Sequence, residues 1–223
     1  MINSFGKRPF MNSATDYLTR TSSATRKLFE GVESYLDPLR KGIEGAVFVS
    51  EGSDPAAFNA SYGTWAEENS RQLEQSKQAQ SEFVAELFAM AALCGAILEI
   101  AHKGIQMHSI ASTLSGVASA IVGESSAARQ FAIGREVRGV PIGLIIYAGR
   151  NQHAHFDEAK LSRVNQAVFD HLARVPGFEG VKDPAVDLAR HPSASVAHNM
   201  TYLLGWRDFA AYSRDMESLL TRA

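Results

Sequence analysis

The stretch from Phe83 to Ala101 is the most apolar of the chain, and only Glu86 and Glu99 interrupt it with charge. Two carboxylates are costly in lipid, so the stretch reads as a buried helix of a soluble protein rather than a membrane span. Directly before it, Glu67 to Ser81 is rich in Glu, Gln, Lys and Ser. The two stretches together predict one long helix from about Tyr62 to about His102, solvated in its first half and entering the core in its second. The solvated half could also serve as a dimerisation face.

The rest of the chain repeats the helical spacing. Tyr17, Leu18, Leu28, Phe29, Val32, Tyr35, Leu36, Leu39 and Ile43 recur at helical intervals, with Gly31 and Pro38 allowing either one kinked helix or two. Ser50 to Ala60 reads as a loop, and Gly104 to Ser109 as a break. Ser112 to Phe131 is small and helix-compatible. Leu161 to Val175 carries Val164, Val168, Leu172 and Val175 on one stripe and stops at Pro176-Gly177. Ser195 to Leu220 predicts one or two closing helices with Tyr202, Leu203, Trp206, Phe209 and Met216 in the core, and Ser193 or Ser195 as a cap. Leu144 to Tyr147 favours a strand by propensity, but one such run without a partner makes no sheet. The expected fold class is therefore all-α, a helical bundle. Residues 1–12 are expected to be a flexible arm and residues 13–223 a single helical domain.

Composition narrows the function. A net charge of -2 and a pI of about 6.4 do not suit a bulk polyanion binder, so any nucleic-acid contact must be a local patch, and no DNA partner is expected. One cysteine, Cys94, allows no internal disulfide and no cysteine-rich zinc framework, which fits a cytoplasmic setting. Met1 to Met11 lacks the apolar block of a signal peptide, and no membrane association is expected. Phosphate-binding Gly-x-x-x-x-Gly-Lys-Ser/Thr, dinucleotide Gly-x-Gly-x-x-Gly and Gly-x-Ser-x-Gly elbows are all missing.

Chemistry concentrates in Gly149-Arg150-Asn151-Gln152-His153-Ala154-His155-Phe156-Asp157-Glu158. A guanidinium offers forked, permanently positive donors for a phosphoryl group. An imidazole moves protons near neutral pH. A carboxamide can orient either. Asn151 and His155, four apart, would share a helix face. Arg150 and His155, five apart, lie about 140° apart around a helix. They converge only if Arg150 stands at a helix start, where Gly149 would relax the backbone, or if a partner chain supplies one of them. These groups suit attack of an RNA 2′-hydroxyl on its neighbouring phosphate, with His155 as general base or acid and Arg150 stabilising the phosphorane. No cofactor and no metal are required. His153, Arg135, Arg138 and Asp157 are candidate substrate contacts around this centre.

Arg150-Asn151-Gln152-His153-Ala154-His155 resembles the Arg-Asn-x-x-x-His signature of HEPN-domain ribonucleases. The resemblance implies an all-α homodimer with a core over about residues 62–175, cutting an RNA substrate without metal. It further implies a composite site with Arg150 and His155 of both copies facing across the interface, and Asn151 beside the arginine. Members serve in toxin–antitoxin and defence systems, so an antitoxin protein is a possible partner. Some toxins of the family carry a tyrosine two residues after the histidine that their antitoxins modify, and Asp157 stands there instead. A helical module of the same kind that binds RNA, nucleotide or protein without cutting is the alternative. His153-Ala-His155-Phe-Asp157-Glu158 also resembles the His-x-His-x-Asp loop of metallo-hydrolases, which needs both histidines on one metal.

Overall fold

A computed structural model describes residues 13–43, 47–49, 54–109, 114, 116–158, 160–175 and 177–221. The arm expected over residues 1–12 lies outside them. The described residues form nine α-helices: α1 (Ala14–Ile43), α2 (Pro55–Glu68), α3 (Ser70–His108), α4 (Gly116–Val122), α5 (Ser126–Arg129), α6 (Ile142–Ala154), α7 (Arg163–Leu172), α8 (Ala197–Leu203) and α9 (Phe209–Leu220). A two-stranded hairpin, β1 (Glu136–Val137) with β2 (Val140–Pro141), precedes α6. The chain is an all-α helical bundle, as its spacing predicts.

Several boundaries differ from the sequence expectation. Residues 55–60 are helical rather than loop, because Asp54 accepts from the Ala56 N–H and Pro55 stands in the first turn, two helix-start signals. The long helix is two helices that meet at Asn69, whose amide donates to the Trp65 carbonyl at 2.8 Å and so caps α2. Gly104 does not break α3. A Cβ there would stand 2.9 Å from Tyr17 and 3.0 Å from Leu220, so glycine is present for close helix packing. Tyr202 is exposed rather than core, and the Arg207 guanidinium lies 3.4 Å from its ring centre.

The described residues divide into two compact units, Glu30–Met90 and the remainder. In the first, α2 buries no residue, and Phe58, Tyr62 and Trp65 gather around the Phe48 ring at 5.3 to 5.4 Å. In the second, α6 is the central element. Ile142, Leu144, Ile145, Ile146, Ala148 and Gly149 are all buried, so the run that resembled a strand is a helix apolar on every side. It packs against α7, whose Val168, Phe169 and Leu172 are buried, and against α8, and Leu98 of α3 and Met200 of α8 lie at Gly149.

The start of α6 is capped by backbone alone. Ile142 and Gly143 donate to the carbonyls of Arg135 and Ile133 at 2.9 and 3.1 Å, satisfying two amides that a helix start leaves open. The hairpin turn before it places Arg138 and Gly139 at φ 52° and 77°, the left-handed pair that a tight two-residue turn requires.

Candidate functional site

Arg150, Asn151, Gln152 and His153 form the last turns of α6, and His155 follows as its C-cap. This overturns one expectation. Gly149 does not open a helix at Arg150; it lies inside α6, where a Cβ would stand 3.2 Å from Leu98 and from Met200. The helix begins at Ile142, eight residues before Arg150, because the apolar run is itself helical.

Arg150 Nε donates to Glu99 Oε2 of α3, and Nη1 donates to Asn151 Oδ1 at 3.1 Å. Asn151 Nδ2 in turn donates to Asn165 Oδ1 of α7 at 3.4 Å, and Asn165 is buried. The guanidinium is thus fixed along two of its edges. Nη2 has no acceptor among the described residues. Partial burial pushes the Glu99 carboxyl up, but the hydrogen bond from Arg150 and the charge of Arg150 lead the effects that outweigh it and hold the group below its usual range. Lys103 Nζ lies 4.0 Å from Glu99 Oε1, so the cluster keeps a net positive charge.

Two histidines feel the Arg150–Glu99 pair. His102 stacks on Phe131 with ring centres 4.6 Å apart and lies 6.0 Å from Tyr147. Burial, then the Arg150 charge, lowers it to about 4 and keeps it neutral. His153 is the second. Its Nδ1 lies 2.7 Å from Ser195 Oγ, and its ring lies over Gly95, where a Cβ would stand 2.0 Å from Nε2. Burial, then the charge of Arg150, lowers its pKa, with Glu99 opposing.

His155 faces elsewhere. Its Nδ1 lies 2.7 Å from Glu158 Oε1, and both side chains are about half exposed. They line a cleft of about 380 Å³ together with Asp157, Lys160, Gln166 and His191. His153 and His155 therefore bond to different partners on different sides, which does not suit a shared metal. Among the described residues no three His, Cys, Asp or Glu side chains gather as a metal ion would need.

Arg135 and Arg138 are not brought to the motif. Arg135 forks onto Asp215 at 2.9 and 2.7 Å, and Asp215 also accepts from the Trp206 indole at 2.8 Å. Arg138 donates to the Leu172 carbonyl and to Asp183 Oδ2 at 2.5 and 2.7 Å. Both serve the hairpin at the opposite end of α6 from Arg150 and lock the helix start to α9 and to the chain after α7.

Three residues that matter here carry no functional signal in the sequence: Glu99 stands in an apolar run, Ser195 reads as a cap, and Gln152 falls at a variable position of the motif. Gln152 is buried; its Nε2 donates to the Ala194 carbonyl at 2.8 Å and its Oε1 accepts from the Val196 N–H at 3.0 Å. This clasp holds the segment bearing Ser195 against α6. Gln152→Ala should cost about 2 kcal/mol, since it leaves the buried Val196 N–H unpaired and removes the bond to the Ala194 carbonyl. A thermal melt measures that loss, and an unchanged midpoint would contradict the clasp.

The chain matches no family model, no curated protein and no solved structure.

Proposed function

We propose that the protein is a metal-independent endoribonuclease that cleaves RNA by attack of a 2′-hydroxyl on the adjacent phosphate. The observation that carries this reading is the Arg150 guanidinium, anchored through Nε and Nη1 while Nη2 keeps its donors for an incoming phosphoryl oxygen. Donors fixed before the reaction stabilise developing phosphorane charge without reorganising, which is the main source of electrostatic catalysis. Imidazoles on the same helix end provide proton transfer near neutral pH. Asn151 orients the guanidinium, and the cleft beside His155 offers Asp157 and Lys160 to the flanking nucleotides. A homodimer, an antitoxin partner and a role as toxin or defence effector belong to the same reading and rest on the resemblance of the motif.

The test is direct. Purified protein is incubated with total RNA in EDTA. Fragments ending in 2′,3′-cyclic phosphate are expected. Intact RNA would sink the reading, and intact RNA held in a stable complex would favour a binding module instead. Cleavage that requires added metal would overturn the metal-independent mechanism.

A further inference from the structure

We propose that His153 is the catalytic base of this site, with Ser195 and Gly95 as the residues that position it. The inference rests on the ribonuclease reading above and assigns a residue that the Arg-Asn-x-x-x-His pattern leaves free to vary.

Three geometric facts carry it. First, His153 lies three residues after Arg150 on α6, so the two side chains are neighbours on one helix face. His155, in contrast, lies beyond the last helical residue and is bonded to Glu158. Second, the ring is seated from two directions. Ser195 Oγ takes Nδ1 at 2.7 Å and also accepts from the Ala197 N–H at 3.3 Å. A hydroxyl oxygen has two lone pairs. With one committed to Ala197, the other is placed to accept an Nδ1–H, the tautomer that a base acting through Nε2 requires. The Gln152 clasp fixes the segment on which Ser195 rides. Third, Gly95 is the residue that makes room. Any Cβ there would overlap the ring, with its nearest atom Nε2 at 2.0 Å, and among the described residues Nε2 has no hydrogen-bond partner. The lowered pKa of His153, caused by burial and then by Arg150 with Glu99 opposing, agrees with a neutral base at pH 7.

The step balances. The 2′-hydroxyl gives its proton to His153 Nε2 as the 2′-oxygen bonds to phosphorus. The phosphorus–5′-oxygen bond breaks, Arg150 holds the charge on the phosphorane oxygens, and the leaving 5′-oxygen takes a proton from His155 of a second copy of the chain. The products are a 2′,3′-cyclic phosphate and a 5′-hydroxyl.

The experiment compares single-turnover cleavage of an RNA oligonucleotide with cleavage of uridine 3′-(p-nitrophenyl phosphate), whose leaving group needs no proton. His153→Gln should slow both by about 10²-fold or more, because the base is needed whichever group departs. Ser195→Ala should give a smaller loss that Ser195→Thr recovers. Gly95→Ala leaves the imidazole chemistry intact and adds a helix-favouring methyl, yet it occupies the ring's seat and should fall towards the His153→Gln rate. Circular-dichroism melts establish that each variant is folded. His153→Gln cleaving RNA within about threefold of the parent would overturn the proposal. A defect that vanishes on the nitrophenyl ester would overturn the base assignment. If Arg150→Ala is inactive while His153→Gln is active, only this inference fails; if the parent protein leaves both substrates intact, the ribonuclease reading itself fails.

Discussion

Arg150→Ala should lower RNA cleavage by about 10²–10³-fold, the loss that follows removal of one preorganised donor from a charged transition state. The fold should survive. Glu99, the carboxylate left behind, is 40% exposed on its side chain and keeps Lys103 within 4.0 Å, so no charge is stranded in the core. Partly exposed pairs of this kind contribute about 1 kcal/mol or less. Arg150→Lys tests the forked geometry. It keeps the charge, but a lysine cannot hold Glu99 and Asn151 along two edges while presenting a third. It should therefore recover little of the activity. The measurement is a single-turnover rate beside a thermal melt, and a parent-like rate in the folded alanine variant would remove Arg150 from the mechanism.

The second large effect falls on stability. Gly143→Ala should destabilise the protein by about 3 kcal/mol, at the upper end of overpacking costs. A Cβ at this position would stand 2.2 Å from the Phe131 carbonyl oxygen, an atom of the backbone that cannot swing aside. Phe131 is itself packed against the rings of His102 and Tyr147, at 4.6 and 4.9 Å. Gly143 cannot retreat either, because its N–H is bonded to the Ile133 carbonyl at 3.1 Å. In a chain of this length such a loss lowers the melting midpoint by about 6–12 °C. Gly63→Ala is the matched control. No atom lies within 4 Å of its Cβ position, so the change should be neutral or stabilising in a helix. Equal melting midpoints for the two variants would contradict the packing described at the start of α6.

These contrasts show which features were legible from residue order. The stripe Val164, Val168 and Leu172 lies buried in α7 as its spacing predicts, because an amphipathic helix at the surface of a core writes its buried face directly into the sequence. α6 is different. It is apolar on all sides, so Leu144 to Tyr147 shows no period, and β-propensity competes with a helix that burial decides. The hairpin of β1 and β2 escaped notice because two residues per strand are too few for alternation. The Arg-Asn-x-x-x-His cluster was visible as chemistry, but its neighbours were not. Glu99 lies 51 residues from Arg150, and Ser195 lies 42 residues from His153. Arg135 and Arg138 looked available for phosphate for the same reason. Their partners, Asp215 and Asp183, stand 80 and 45 residues away. Local spacing reveals which groups could react; only the fold reveals which of them are already engaged.

The Gln152 clasp has a consequence in time. Its backbone partners are encoded 42 and 44 residues downstream of the glutamine. A growing polypeptide therefore releases the arginine and the imidazoles from the ribosome well before the strap that seats His153. Until the segment through Val196 has emerged, the seat of His153 stays open.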